Sequence, residues 1–239
     1  MAGANATAMR VSSLSATARV AGLLYLGVTL VGVFSLLYIP GLIYAPGDAA
    51  ATTHNIASHE ALFRAYIFVE IWGATLEIFL VLALYRLLGV VNRSLAMVML
   101  VLGLMDVPIF FLNSLNDFGA LLFARGADFL SAFGEPQREA MVMLFLRLHH
   151  YGEVVNEVFW GLWLLPFGML VYKSHFLPRL LGVWLILNCF AYLAQNVTGI
   201  LLPQYTAVVN DIAVPLQLGE VAIMLWLLLL GAKETPATR

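Results

Sequence analysis

Cysteine and charge are the two features that this sequence has least of. The chain of 239 residues contains one cysteine, Cys189, and only 11% of its residues are charged. A single cysteine excludes an intrachain disulfide, and it excludes zinc or iron–sulfur sites built from several cysteines of one chain. Because soluble domains average about 25% charged residues, the shortage of charge also argues against a soluble protein.

Basic surface and familiar catalytic motifs are also missing. The formal net charge of -2 provides no basic patch, so we expect no nucleic acid among the partners. The sequence has no P-loop, no nucleophile elbow, no dinucleotide-binding glycine pattern and no His-Glu-x-x-His zinc motif. No cofactor is therefore evident from motifs, and the sequence leaves enzyme activity undecided.

Apolar residues dominate what is present. They make up 62% of the chain, and the mean hydropathy is +0.92. A membrane-spanning helix needs about 20 mostly apolar residues. Six runs meet this requirement: 18–39, 64–88, 94–115, 152–173, 178–198 and 211–231. The sequence therefore predicts an all-α fold, a polytopic bundle of six transmembrane helices surrounded by a lipid bilayer.

Lysine and arginine are distributed unevenly among the segments that join these runs. With the N-terminus inside, the cytoplasmic segments carry eight of the 12 basic residues, namely Arg10, Arg19, Arg86, Arg93, Lys173, Arg179, Lys233 and Arg239. Cytoplasmic loops of membrane proteins are enriched in these residues. The sequence therefore predicts that both termini lie in the cytoplasm.

The same pattern divides the chain into three parts. Residues 1–17, rich in Ala, Ser and Thr, are predicted to be a disordered cytoplasmic lead. Residues 18–232 are predicted to form the transmembrane domain, and residues 233–239 a cytoplasmic tail. The oligomeric state is not set by any of these features.

Two regions near the predicted spans need a closer description. The stretch from Asp117 to Phe133 follows the third apolar run, and it is predicted to form a short helix at the membrane interface. The stretch from Arg138 to Tyr172 is compatible with a helix throughout, which is longer than one bilayer crossing. We therefore expect the first part of this fourth helix to tilt or to project beyond the bilayer.

Acidic residues inside the predicted spans are the most informative feature for function. An ionised side chain in the bilayer costs about 2.5–3.5 kcal/mol on insertion scales, so such residues suggest functional sites by default. At 1.5 Å per residue, Glu70, Asp106, Glu157 and Glu220 lie about 20–24 Å from the cytoplasmic basic residues of their own spans. Four acids on four helices are therefore predicted to share one level in the outer half of the membrane.

Helical spacing adds further polar side chains to this level. They are Glu77 on the second span, Arg147, His150 and Glu153 on the fourth, Gln195 on the fifth and Gln217 on the sixth. Lipid cannot form hydrogen bonds with such side chains, so we expect each to face protein or a water-filled cavity. Together with the four acids, they form the predicted site for a small ligand, a proton or a cation.

Acids outnumber fixed cations in this predicted layer. The acids are Glu70, Asp106, Glu153, Glu157 and Glu220. The nearby fixed cations are Arg64 and Arg147, and two histidines, His149 and His150, could add to them. We therefore expect that at least one acid is protonated at neutral pH, or that the acids hold a cation.

A metal site is a related hypothesis. His150, Glu153 and Glu157 follow one another at helical spacing and resemble part of a carboxylate–histidine site, with Glu70 and Glu220 as further ligands. Carboxylate and imidazole suit zinc, iron or manganese. A divalent metal is therefore a candidate cofactor, and ordinary hydrogen-bonded contacts are the alternative.

Three classes of function follow from these features. The first is an outward-facing acidic pocket that binds or transports a small ligand, proton or cation. The second is an intramembrane enzyme that applies acid–base or metal chemistry to a lipophilic substrate. The third is a structural or sensory scaffold in which the polar residues only hold helices together.

Several segments carry a resemblance to a known family. They are Ala18 to Gly22, Phe159 to Gly168, Lys173-Ser174, Leu177 to Gly182, Gly219-Glu220 and Leu225 to Leu228. With these segments the chain resembles a bacterial family of multi-pass membrane proteins, domain of unknown function 4386, over nearly all residues after 17. The resemblance implies a multi-pass protein of the bacterial inner membrane, and it implies that Glu220 is part of a family motif. It implies no activity.

Overall fold

The structure is a computed structural model that describes the backbone of residues 2–233 and the side chains of residues 14–233. Every regular element in that part of the chain is helical, which confirms the predicted all-α fold. The α-helices are α1 (Ala2–Val33), α2 (Ile39–Ile43), α3 (Ala49–Ser58), α4 (Glu60–Leu88), α5 (Arg93–Arg125), α6 (Glu135–Leu162), α7 (Leu164–Lys173), α8 (Arg179–Leu201) and α9 (Thr206–Leu225). Two π-helical segments (Phe34–Tyr38 and Trp226–Leu230) and two 3₁₀ turns (Asp128–Leu130 and Pro203–Tyr205) complete them.

Six stretches of helix are long and apolar enough to cross a membrane. They are Leu14–Ile43, Glu60–Leu88, Arg93–Arg125, Glu135–Lys173, Arg179–Leu201 and Pro203–Leu230. Each contains one of the six apolar runs or nearly all of it, so the prediction of six spans is confirmed. The protein is an integral, multi-pass membrane protein.

The third span is longer than its apolar run suggests. Helix α5 continues to Arg125, so the prediction of a separate interfacial helix from Asp117 to Phe133 is wrong. Polar residues interrupt the apolar run there, but they do not interrupt the backbone hydrogen bonds of the helix. The helix ends only before Gly126, whose φ of 62° lies in the left-handed region that suits glycine at a helix C-terminus. Asp117 is therefore a residue of a spanning helix.

The fourth span consists of α6 and α7, which are separated only at Trp163. Pro166 has no backbone N–H, so the carbonyl group of Leu162, four residues earlier, has no helical partner at this point. This missing hydrogen bond explains why α6 ends where it does. The stretch predicted to be helical from Arg138 to Tyr172 is helical apart from this interruption.

The N-terminal lead is helical, contrary to the prediction of disorder, and most of the predicted C-terminal tail lies outside the described residues. Helix α1 begins at Ala2, inside the lead that we expected to be disordered. Alanine has the highest helix propensity of all residues, and the lead is rich in it. Of the predicted tail, residues 234–239 lie outside the described residues.

Contacts divide the chain into two compact units. Unit 1 consists of Met1–Gly27, Leu76–Asp106 and Asn156–Arg239, and unit 2 consists of Val28–Thr75 and Val107–Val155. The four points at which the chain passes from one unit to the other all lie inside α-helices, namely α1, α4, α5 and α6. The two units are therefore defined by their packing, and each of these four helices contributes residues to both.

Unit 1 is packed through close approaches of helix backbones. A Cβ atom added to Gly182 of α8 would lie 2.6 Å from the carbonyl oxygen of Gly168 and 2.6 Å from the amide nitrogen of Tyr172, both on α7. Small residues at such crossings allow helices in membranes to make extensive van der Waals contact. Helices α7 and α8 can therefore pack this closely only because both positions are glycine.

Unit 2 contains a hydrophobic core to which five helices contribute. Its buried members are Ile39, Ile43, Ile56, Phe63, Tyr66, Ile67, Ala120, Leu121 and Val142. They come from α2, α3, α4, α5 and α6. This core fixes the helices that surround the cavity described next.

Candidate functional site

A cavity of about 440 Å³ lies within unit 2. Ligand pockets for small molecules typically measure about 300–1,000 Å³, so this cavity is large enough for a small organic ligand or for an ion with its water. Its lining residues are Ser35, Leu36, Ile39, Pro40, Ile43, Tyr44, Phe63, Tyr66, Asp117, Leu146, Arg147, His149, His150, Tyr151 and Glu153.

One wall of the cavity is apolar. It is formed by Leu36, Ile39, Pro40 and Ile43, which belong to the first π-helical segment and to α2. A π-helical turn inside an α-helix shifts the side chains that follow it, and such turns are frequent at functional sites. Here the π-helical segment provides both the apolar Leu36 and the polar Ser35 to the cavity.

Another part of the lining is polar and centres on His149 of α6. Its Nδ1 atom lies 2.9 Å from Oδ2 of Asp117 on α5. Its Nε2 atom lies 3.6 Å from Oε1 of Glu153, one helical turn further along α6. The hydroxyl group of Tyr66 on α4 is 3.3 Å from the same Nε2 atom. Three helices therefore bring polar groups to one imidazole ring.

Close packing of α5 against α6 holds this histidine in position. The side-chain amide of Asn113 donates a hydrogen bond of 3.0 Å to the backbone carbonyl of His149. A Cβ atom at position 152 would collide with the Asn113 side chain, so only glycine allows this approach. The side chain of Asn116 in turn donates to Oδ1 of Asn113 at 2.9 Å. The amide pair therefore fixes where His149 stands relative to Asp117.

A second acid, Glu70 of α4, lies close to the same two residues. Glu70, Asp117 and His149 each offer a ligand atom, and these three atoms all lie within 4.8 Å of one another. All three residues are buried, with 7%, 1% and 8% of their surface exposed. Although Nδ1 of His149 and Oδ2 of Asp117 are close, neither has an aligned hydrogen bond within the described residues. The distance between these two atoms is that of an ion pair, but the two groups are not aligned for a hydrogen bond.

This arrangement concentrates negative charge in a small buried volume. Glu70, Asp117 and Glu153 are three carboxylates around one buried imidazole. With His149 protonated, three ionised carboxylates leave a net negative charge on the buried groups, and the other basic side chains of the lining, Arg147 and His150, are exposed. Burying an uncompensated charge costs several kcal/mol, so the site favours a bound proton or cation.

A different polar cluster occurs in unit 1 around Glu220 of α9. The Tyr25 hydroxyl donates to Oε2 of Glu220 at 2.6 Å, and the Asn188 amide donates to Oε1 at 2.8 Å. The Tyr192 hydroxyl is also within hydrogen-bond reach of this carboxylate. Three neutral donors from α1 and α8 therefore converge on one acid, an arrangement that holds three helices together.

The remaining acids of the predicted layer belong to the same unit. Glu77 lies close enough to Asp106 and Glu220 to interact electrostatically with both. Glu157 lies within electrostatic range of Tyr192. These acids therefore share the surroundings of Glu220, and they do not line the cavity of unit 2.

The two predicted glutamines connect α8 to α9 within unit 1. The Gln217 amide donates a hydrogen bond of 2.7 Å to Oε1 of Gln195. The Gln195 amide donates one of 2.9 Å to Oδ1 of Asn210. Amide groups that pair with each other across a helix interface stabilise the bundle, so this geometry favours a packing role.

The predicted site residues therefore divide between the two units. Glu70, Arg147, His150 and Glu153 belong to unit 2, and Glu77, Asp106, Glu157, Gln195, Gln217 and Glu220 belong to unit 1. Of the predicted metal ligands, His150 and Glu153 approach to 3.5 Å, although 69% of the His150 side chain is exposed. Glu157 belongs to unit 1, and a metal at these three residues stays a prediction.

Sequence reasoning missed Asp117, His149 and Tyr66 as site residues. The sequence pattern predicts that Asp117 begins a separate interfacial helix, whereas it lies within α5. His149 was passed over for its neighbour His150, which lies about 100° further around the helix axis. The signal that could have found it is the spacing of four residues between His149 and Glu153, which places both on one face.

Comparison with known proteins gives a family and no further relative. No curated protein and no solved structure matches the chain. A family model for the domain of unknown function DUF4386 matches residues 20–231. Because this match covers most of the 239 residues, the chain belongs to the DUF4386 family.

Proposed function

We propose that this membrane protein binds a small positively charged ligand in the cavity of unit 2, as the binding step of its transport across a bacterial inner membrane. The observation that carries the proposal is that three carboxylates surround one imidazole beside a cavity of about 440 Å³. A cation there would offset the buried negative charge, since Arg147, the arginine of the lining, is exposed whereas the acids are not.

The lining favours a ligand over a purely structural role for these acids. In the Glu220 cluster, neutral hydroxyl and amide donors satisfy the carboxylate. In unit 2 the Tyr66 hydroxyl is within reach of Glu70, but Glu70 and Asp117 also crowd around one histidine. A fold that needed only to hold helices together would be better served by the first arrangement.

The proposal includes an orientation, with the cavity accessible from the non-cytoplasmic side. Its support is the positive-inside rule, because the short basic segments around Arg86 to Arg93 and Lys173 to Arg179 are expected in the cytoplasm. The native Cys189 is buried and can be replaced by alanine, so single cysteines can report on each side.

Thiol labelling tests this orientation. Cysteine at the exposed Ser131, between α5 and α6, should react in intact cells with a membrane-impermeant maleimide. Cysteine at the exposed Ser94, at the start of α5, should react only after the cells are permeabilised. If position 94 reacts in intact cells and position 131 reacts only after permeabilisation, the proposed orientation is wrong, and the cavity is not accessible from the non-cytoplasmic side.

Binding is tested on the purified chain in detergent and in liposomes. We expect one or more cations from a panel of monovalent metals, divalent metals and alkylammonium ions to raise the midpoint of thermal unfolding. The Asp117→Asn and Glu153→Gln variants should lose this response, and liposomes containing the wild-type chain should accumulate the same cation.

A matched control comes from the same unit. Asp128 is an exposed acid outside the cavity, so Asp128→Asn should keep the full response to the cation. If no member of the panel stabilises the wild-type chain, or if Asp128→Asn abolishes binding as strongly as Asp117→Asn, the acids of the cavity are not a binding site.

A second function is favoured by one feature of the same site. His149 has a carboxylate at Nδ1, and its other ring nitrogen contacts Tyr66 and Glu153 at the cavity. A histidine oriented in this way by an acid is suited to act as a general base. An intramembrane enzyme would then turn over a component of an added lipid extract, and His149→Gln would abolish that turnover. A binding protein would release the component unchanged.

A further inference from the structure

We propose that the positively charged ligand of unit 2 is a divalent transition-metal ion, held by Glu70, Asp117 and His149. The inference rests on the proposed function and names the class of cation that this cavity would take. It differs from the site suggested by sequence spacing, because Asp117 and His149 take the place of His150, Glu153 and Glu157 as ligands.

The geometry of the three residues supports this assignment. Ligand atoms around one tetrahedral ion at about 2.0–2.2 Å lie roughly 3.4 Å apart. The donor atoms of Glu70, Asp117 and His149 already lie within 4.8 Å of one another. Small side-chain movements would therefore bring all three to one ion, and no helix would have to move.

The orientation of the donors gives a second, independent reason. Nδ1 of His149 and Oδ2 of Asp117 are both buried, lie 2.9 Å apart and have no aligned hydrogen bond. Buried polar atoms in proteins nearly always find aligned partners, so this pair calls for an explanation. An ion that both atoms bind through their lone pairs removes the misalignment.

The ligand types indicate which metals would fit. Two carboxylates and one imidazole suit zinc, manganese and iron, whereas magnesium and calcium prefer oxygen donors alone. Three protein ligands also leave at least one coordination position open. The adjoining cavity of about 440 Å³ has room for water or a small coordinating molecule at that position.

The surroundings of His149 are those expected around a metal ligand. Histidine ligands of metals usually have their second ring nitrogen held by a carboxylate, a carbonyl or water, which fixes the orientation of the ring. Here the Tyr66 hydroxyl and the Glu153 carboxylate lie 3.3 Å and 3.6 Å from Nε2 of His149. With Nδ1 on the ion, these two groups would hold the opposite side of the ring.

Metal titration of the purified full chain tests the proposal. The chain is stripped with chelator and titrated with Zn²⁺, Mn²⁺ or Co²⁺, with Mg²⁺ and Ca²⁺ as hard-ion controls. We expect one ion per chain and a raised thermal midpoint for at least one transition metal. Bound Co²⁺ should give visible absorption bands that report nitrogen and oxygen ligands.

Ligand variants locate the ion. Asp117→Asn, Glu70→Gln and His149→Asn should each weaken metal binding at least about 100-fold, because loss of even an outer partner of a ligand costs 10–100-fold. His59→Asn, an exposed histidine outside the cavity, is the matched control and should bind as the wild type does. If His149→Asn fails to fold, Asp117→Asn, which preserves side-chain size, carries the test.

The results that overturn the inference are distinct from those that overturn the proposed function. Equal losses in His150→Asn and Glu157→Gln would move the metal to the site suggested by spacing and would refute this one. Stabilisation by an alkylammonium ion but by no transition metal would also refute the metal while leaving cation binding intact. Stabilisation by no cation at all would refute both.

Discussion

The polar cluster around Glu220 and the one around His149 both bury acids among helices, but they do so in different ways. Glu220 in unit 1 accepts hydrogen bonds from Tyr25 and Asn188, which are neutral donors. In unit 2, Glu70 and Asp117 instead share one histidine beside a cavity. Acids that the sequence places in one predicted layer therefore have different surroundings, and only those of unit 2 lie beside the cavity.

The difference lies in what each acid would gain from a ligand. A carboxylate that already has hydrogen bonds from neutral donors gains little from a cation, because the cation would have to displace them. Carboxylates that crowd together repel each other, and a cation relieves that repulsion. Unit 1 therefore has the features of a packed framework, and unit 2 has those of a binding site.

The largest effect is expected from a change in the packing of unit 1. Gly182→Val would push a side chain into the backbone of α7, because a Cβ atom at this position already lies 2.6 Å from two backbone atoms. Overpacking costs about 1–3 kcal/mol, and rigid backbone neighbours place this site at the upper end or beyond. Thermal unfolding followed by size-exclusion chromatography measures the loss.

The matched control for this change is Gly32→Val in α1. A Cβ atom at Gly32 would have nothing within 4 Å, so the same substitution should be tolerated. Equal losses in the two variants would mean that the close approach of α7 and α8 does not limit stability.

The next largest effect is expected at Glu220. Glu220→Ala leaves the Tyr25 hydroxyl and the Asn188 amide without their acceptor, which should lower the free energy of unfolding by about 2 kcal/mol. Cation binding in unit 2 should change less than twofold. Denaturant titration and binding measured on one preparation test both statements.

Asp211, an exposed acid on the same helix, is the control for Glu220. Asp211→Ala should leave stability within about 0.5 kcal/mol of the wild type. A loss of cation binding in Glu220→Ala at unchanged stability would contradict the framework role and would make unit 1 a second binding site.

A change of opposite sign is expected at Glu70. Without a bound cation, Glu70→Gln removes one of several crowded charges, so the free energy of unfolding should rise by about 1 kcal/mol. Cation affinity should fall at the same time. The measurement is denaturant titration in chelator, with Glu135→Gln as the control at an exposed acid. A loss of stability as large as that of Glu220→Ala would erase the distinction between the two clusters.

The smallest effect is expected in the amide pair of α8 and α9. The hydrogen bond from Gln217 to Gln195 measures 2.7 Å. Hydrogen bonds between helices in membranes contribute about 0.6 kcal/mol on average. A double-mutant cycle with Gln217→Leu and Gln195→Leu should give a coupling energy of this size. A coupling near zero would show that the pair contributes nothing to unit 1.

Hydropathy was sufficient to predict the architecture from the sequence. The bilayer requires about 20 apolar residues per crossing, and all six runs are spanning helices. The long fourth helix was also predicted, because nothing between Arg138 and Tyr172 forbids helical backbone except Pro166. These features depend on composition along the chain, which the sequence displays directly.

The helix faces could not be predicted in the same way. In a soluble protein the apolar side of a helix is the buried side, but lipid makes both sides apolar. The apolar pattern alone therefore does not separate His149 from His150, although the spacing of His149 and Glu153 does, and it does not show that Arg147 is exposed. Asn116 and Asp117 directly follow the third apolar run, so the predicted end of the span excluded the part of α5 that contains Asp117.

The passage of α1, α4, α5 and α6 through both units has a practical consequence. No truncated chain would contain one unit without severing helices of the other, so neither can be isolated by dissection. Whether the two units unfold together must be measured in the intact protein. Amide hydrogen exchange can be compared between the unit 1 part and the unit 2 part of each of these four helices. A single global opening would mean that ligand bound to one unit stabilises the whole membrane domain, whereas separate openings would confine its effect.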